Sequence, residues 1–66
     1  MRNTVKIERV TLELTQQQLA DELEVSRQTI NSLETQRYIP YTTLALKIAR
    51  YFKKPVEELF KLEDGD

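Results

Sequence analysis

The chain has 66 residues, with no cysteine, no histidine and one glycine. A chain that short holds one small core, and without a disulfide or the usual zinc ligands packed helices must supply its stability. The formal charge of −1 speaks against nucleic acid only as a sum: Arg27, Arg37, Lys47, Arg50, Lys53 and Lys54 outweigh Glu34 mid-chain, whereas Glu57, Glu58, Glu63, Asp64 and Asp66 outweigh Lys61 beyond Pro55.

No apolar run approaches the length of a membrane span, and no signal-peptide core opens the chain. A soluble protein without cysteine suits a reducing cytoplasm, which is the expected location. The sequence offers an enzyme little. There is no histidine or cysteine and no glycine-rich phosphate loop, and Asp21-Glu22 and Glu57-Glu58 are neighbours whose side chains diverge by about 100° on a helix. No catalysis, metal, cofactor or small-molecule substrate is expected.

Met1 to Thr4 is a polar lead in which Asn3 or Thr4 can cap a first helix, predicted from about Val5 to Glu13. Its apolar residues fall on two sides, Val5 and Leu12 on one and Ile7, Val10 and Leu14 roughly opposite. One set must bury against the following helices; the other either covers the last helix or stays at the rim.

Thr15 with Gln18 three residues on has the spacing of a capping box and starts a second helix over about Gln16 to Leu23, with Leu19, Ala20 and Leu23 inward. Ser26 starts a third, over about Arg27 to Thr35, with Ile30 and Leu33 inward. Only Glu24 and Val25 separate the two, too few for antiparallel packing, so the helices must meet at a steep angle. Residues 15 to 37 therefore read as a helix-turn-helix.

With Ile30 and Leu33 inward, Arg27, Gln28, Asn31 and Ser32 face outward near the start of the third helix. Arg pairs bidentately with guanine, and Gln or Asn with adenine, in a DNA major groove. A merely solvated face more often carries Glu and Lys. These four are the candidate base contacts. The free amides and dipole at the start of the second helix favour an anion, with Gln16 and Gln17 placed either to assist a phosphate or simply to start the helix. Ser26 and Thr29 are further phosphate candidates; Thr29 equally suits a thymine methyl or plain packing.

Pro40 biases Ile39 away from helical geometry in the loop from Thr35 to Tyr41. Ile39 is either a core plug or part of a dimer contact. A fourth helix, starting near Tyr41 to Thr43 and running to Phe52, turns Leu44, Ala45, Ile48, Ala49 and Phe52 inward. Thr42 can cap it, and an exposed Tyr41 suits a phosphate or a partner subunit. Lys53 and Lys54 either complement its negative end or touch DNA. Pro55 suits the first turn of a fifth helix, Glu57 and Glu58 favour its start, and Val56, Leu59 and Phe60 bury one face. A short strand can pair Leu62 with the N-terminus.

Thr15-Gln16, Leu19-Ala20, Val25-Ser26-Arg27-Gln28-Thr29-Ile30, Leu33-Glu34 and Leu44-Ala45-Leu46-Lys47-Ile48-Ala49, in this order and spacing, resemble the XRE family. Its members are small regulators built like the lambdoid phage repressor and Cro DNA-binding domains, and residues 5 to 62 can be laid on that pattern without a large gap. The resemblance implies an all-α, compact five-helix, lambda-repressor-like domain over residues 1 to 66. It also implies a homodimeric regulator, most simply a repressor, that binds palindromic double-stranded DNA with the third helix in the major groove.

On the same resemblance Arg9 pairs with Glu34, and Arg37 and Tyr38 lie where the family clamps the DNA backbone; Tyr38 equally suits packing. The dimer interface falls at the fifth helix and the loop before the fourth, with Ile39, Leu59 and Leu62 as candidates. Two positions depart from the pattern: Glu13 and Gln36 stand where many members have glycine. Glu13 must then turn left-handed, or its helix must end differently. The competing reading is an antitoxin-like or adaptor module that binds protein on the same fold.

Overall fold

The computed structural model describes residues 1–66. In chain order the elements are β1 (Arg2–Asn3), α1 (Val5–Thr11), α2 (Gln16–Leu23), α3 (Arg27–Glu34), α4 (Thr42–Phe52), the single-turn α5 (Val56–Leu59) and β2 (Phe60–Lys61). This is the all-α arrangement of five helices expected from the sequence, with one minimal strand pair. No helix is long and apolar enough to cross a membrane.

Local chemistry sets the starts. Thr15 and Gln18 form the reciprocal capping box: the Gln18 amide donates to Thr15 Oγ1 at 3.0 Å and the Thr15 amide to Gln18 Oε1 at 2.8 Å. Ser26 Oγ accepts from the Thr29 amide at 3.1 Å. At α1 the cap is made by Asn3, whose Oδ1 accepts from the Val5 amide at 3.1 Å, while the Thr4 side chain caps nothing. Thr42 is the first residue of α4 rather than its cap, and Tyr41 before it supplies no side-chain bond.

The helix ends share one device. Glu13, Glu24, Gln36 and Lys53 have φ of 58°, 59°, 64° and 58°, all left-handed. In each case the following amide reaches back five residues to a helical carbonyl: Leu14 to Arg9, Val25 to Ala20, Arg37 to Ser32 and Lys54 to Ala49, at 3.0–3.1 Å. This is the Schellman closure, usually made with glycine. Here the chain makes it with long polar residues, although its one glycine is at position 65. Glu13 in this conformation ends α1 at Thr11, two residues short of the expected boundary.

The core joins all five helices. Val5, Leu19, Ala20, Ile30, Leu33, Leu44, Ile48 and Leu59 are fully buried. Of the two apolar sides of α1, Val5 is the part that buries. Ile7, Val10 and Leu12 stay more than half exposed.

Two C-terminal expectations need correction. Leu59, a candidate dimer contact, has no exposed surface, and its carbonyl accepts from the Thr4 amide at 3.0 Å. It is the fully buried residue of a single-turn helix, so it packs the core and cannot meet a partner. The terminal pairing is antiparallel with Arg2 opposite Lys61 and Asn3 opposite Phe60. Burying Phe60 sets that register, and Leu62 lies beyond the pair, 81% exposed.

Candidate nucleic-acid interface

The first turn of α3 projects two long polar side chains into solvent. Arg27 and Gln28 are exposed and make no side-chain hydrogen bond or ion pair within the chain. The Ser26 cap leaves them there: its oxygen holds the Thr29 amide and lies 2.9 Å from Thr29 Oγ1, so one hydroxyl of the two donates to the other and one O–H of the pair stays free. Thr29 and Ser32 are half-buried, one helical turn apart. Ser26, Gln28, Thr29, Ser32 and Tyr38 line a shallow cleft of about 190 Å³ along this face. Tyr38 also packs its ring against the core. Arg37, just past α3, is exposed with no ion pair.

The opposite edge of α3 is tied down. Arg9 Nε donates to Glu34 Oε2 at 2.7 Å and Arg9 Nη2 to Glu34 Oε1 at 3.1 Å. Gln16 Nε2 donates to that same Oε1 at 3.1 Å and to Asn31 Oδ1 at 3.3 Å. Gln16 therefore lies across α2 and α3 rather than in open solvent. Gln17 is exposed, and its Nε2 donates to Asp21 Oδ1 at 2.8 Å along α2. Asn31 is exposed, on the flank of α3 nearest Gln16.

Residues 5–59 match the family described as Helix-turn-helix. The chain belongs to the Cro/C1-type XRE helix-turn-helix family. It is 44% identical over 66 residues to an uncharacterized HTH-type transcriptional regulator of Methanocaldococcus jannaschii, covering all of both chains. An uncharacterized HTH-type regulator of Methanothermobacter thermautotrophicus is 45% identical over 67 residues, covering 98% of this chain and 97% of that one. The Bacillus subtilis regulator YgzD, also uncharacterized, is 38% identical over 64 residues and 97% of each chain. This XRE-family chain is thus a DNA-binding, helix-turn-helix transcriptional regulator.

Two contacts of this XRE chain had no signal in its sequence. Gln36, notable there only for standing in place of glycine, grips Asn3: its Oε1 accepts from the Asn3 amide at 3.0 Å and its Nε2 donates to the Asn3 carbonyl at 3.3 Å. Asn3 Nδ2 in turn donates to the Leu33 carbonyl at 2.9 Å, closing the end of α3. Lys54 Nζ donates to Glu8 Oε2 at 2.8 Å. That hydrogen bond raises the ammonium pKa and fastens α4 to α1, which takes Lys54 off the list of free cations. Ile39 is 60% exposed while Pro40 beside it is buried, so the proline, not Ile39, plugs the loop.

Proposed function

We propose that the chain binds palindromic double-stranded DNA sequence-specifically as a homodimer, with α3 in the major groove, and represses transcription by occluding a promoter. The observation that carries this is the freedom of Arg27 and Gln28: both are exposed, neither is engaged inside the chain, and both suit base edges. Arg37 beyond the other end of α3 supplies a phosphate contact, and the α2 N-terminus with Gln17 supplies another. One recognition helix reads too few base pairs for genomic specificity. Two related by a two-fold axis read half-sites about 34 Å apart. With Leu59 withdrawn, Ile39 and Leu62, 60% and 81% exposed, remain as apolar contacts for the second copy, joined by Tyr41 at 56%. Selection of bound sequences from random duplex DNA at physiological salt tests the reading. A motif with two-fold symmetry is expected, and recovery of no preferred sequence overturns it.

A protein-binding module on the same fold is favoured by a different observation, the exposure of Ile7 at 65% and Val10 at 55% on α1. A salt titration separates the two. DNA affinity falls steeply, with a log–log slope of about −0.9 per phosphate neutralised, whereas an apolar protein contact barely responds.

A further inference from the structure

The flank of α3 is wired through one glutamine into a buried ion pair, and the polarity of that wiring is dictated. A carboxylate only accepts hydrogen bonds. The end of the Gln16 amide that meets Glu34 Oε1 at 3.1 Å is therefore its NH₂ group. The second N–H of that group reaches Asn31 at 3.3 Å, the weaker of the two contacts, and what it meets there must be the carbonyl oxygen, Oδ1. The Asn31 amide is thereby oriented. Its Oδ1 faces α2, and its Nδ2, with no partner in the chain, is the end left for a ligand.

The same accounting changes the role of Gln16. Its two amide protons are both engaged, one with Glu34 and one with Asn31. What remains free is an acceptor oxygen, which a phosphate repels. The Gln16 side chain is thus unsuited to the phosphate contact its position at the start of α2 first suggests.

We propose that Asn31 is a specificity-determining residue whose donor end is presented to DNA by Gln16, so that it reads a base edge bearing an acceptor, O6 or N7 of guanine, O4 of thymine or N7 of adenine, and rejects cytosine. An unconstrained Asn uses both ends of its amide and pairs bidentately with adenine. Here Gln16 occupies one of the two lone pairs of Oδ1 and leaves a single acceptor site there, so Nδ2 is the end that Gln16 leaves wholly free. Cytosine, which offers only its N4 donor in the major groove, is disfavoured outright. Gln16 is a positioning residue, and Arg9 acts behind it by holding the Glu34 carboxylate in place. The inference rests on the proposed placement of α3 in the groove.

The test uses the full chain and its selected duplex, with affinities measured for every single-base variant of that duplex. Four proteins are compared: wild type, Asn31→Ala, Gln16→Met and the double variant. Asn31→Ala marks the base position concerned. There the wild type should favour guanine, thymine or adenine over cytosine by about fivefold or more. Gln16→Met should shrink that preference to within about twofold, leave the rank order at other positions intact, and add nothing in the Asn31→Ala background. Gln16→Lys, whose ammonium has only donors, should retain the preference, and it guards against a loss caused by misfolding of the Met variant. Uniform weakening of all duplexes by Gln16→Met, additive effects of the two substitutions, a wild-type preference for cytosine, or no position altered by Asn31→Ala would each overturn the inference. Those outcomes all presuppose a selected motif. A wild type that selects none instead removes the groove placement of α3, so the two failures are distinct.

Discussion

Arg9 and Glu34 are joined twice, Nε to Oε2 at 2.7 Å and Nη2 to Oε1 at 3.1 Å, and the third nitrogen of the same guanidinium donates to the Leu14 carbonyl at 2.7 Å. One side chain thereby fastens α1, the loop after it and the end of α3. The Arg9 and Glu34 side chains are 12% and 2% exposed. The hydrogen bond to Glu34 outweighs the desolvation of Arg9 and raises its already high pKa, so the cation persists at any working pH. Removing one partner strands the other. Arg9→Ala should destabilise the fold by about 3 kcal/mol and lower Tm by about 15 °C. Replacing both residues, Arg9→Met with Glu34→Leu, should cost less than half as much, because no buried charge is left alone. Thermal melts of the two variants check this; a loss below about 0.5 kcal/mol in Arg9→Ala, the size of a surface change, contradicts it.

The four left-handed helix ends make a second prediction that separates backbone from side chain. Glu24 closes α2 with φ 59°, and its side chain makes no hydrogen bond or ion pair. Only the steric cost of a Cβ in that conformation is at stake, partly offset by the greater freedom glycine brings to the unfolded chain. Glu24→Gly should therefore stabilise by about 0.5–1 kcal/mol. Gln36 has the same backbone, φ 64°, but holds Asn3 and the end of β1. Gln36→Gly gains the same backbone relief and loses those bonds, and should come out destabilising. Chemical denaturation of the pair decides it: equal signs would mean the Gln36 side chain contributes nothing.

The contrast between these residues also marks what could be read before folding. Helix starts were legible because their chemistry is local: Thr15 with Gln18, and Ser26 before Arg27, make their bonds within three residues. The outward face of α3 was legible because Ile30 and Leu33 assign its inward side by period alone. Contacts across the chain were not, apart from the Arg9–Glu34 pair that the family resemblance implied. Nothing near Gln16 in sequence points to Asn31 or Glu34, fifteen and eighteen residues away. Nor does anything near Gln36 point to Asn3. Leu59 shows the opposite failure: an apolar residue on a terminal helix fits a core or an interface equally well, and only the packing of a single helical turn under the N-terminal strand decides between them.

The chain ends are clasped, and the clasp should loosen at both extremes of pH. The Met1 ammonium lies 3.0 Å from Asp66 Oδ2 and 3.3 Å from Glu63 Oε1. Its hydrogen bond to Asp66, foremost, raises the ammonium pKa above the ordinary 8.0. That contribution to folding is complete below pH 8.0 and is lost as pH rises through the raised value. Asp66 is lowered from 3.8, first by the Glu63 backbone amide and then by the ammonium. Its contribution is complete above pH 3.8 and is lost as pH falls through the lowered value. The amide resonances of Arg2, Asn3, Phe60 and Lys61 should hold steady between these limits and shift beyond each. Acetylating the N-terminus should abolish the alkaline shift and leave the α2 and α3 resonances unmoved. An alkaline shift that survives acetylation would place its origin elsewhere.

The proposed DNA contacts divide by what each side chain is free to do. Arg37 is exposed, unpaired and beyond the C-terminal end of α3; a point contact to phosphate carries no sequence information. Arg37→Ala should weaken binding to all duplexes alike and make the log–log salt slope shallower by about 0.9. Arg27→Ala or Gln28→Ala should instead flatten preference at one base position, at a cost of about 1–3 kcal/mol on the cognate duplex. Lys54 provides the control, since its ammonium is held by Glu8 at 2.8 Å and Lys54→Ala should leave the salt slope unchanged. Titrations of the four variants on cognate and scrambled duplexes at several salt concentrations discriminate the roles. If Arg27→Ala behaved as Arg37→Ala does, α3 would lie along the backbone rather than in the groove, because the same guanidinium can flatten one base preference only where a base edge lies within its reach.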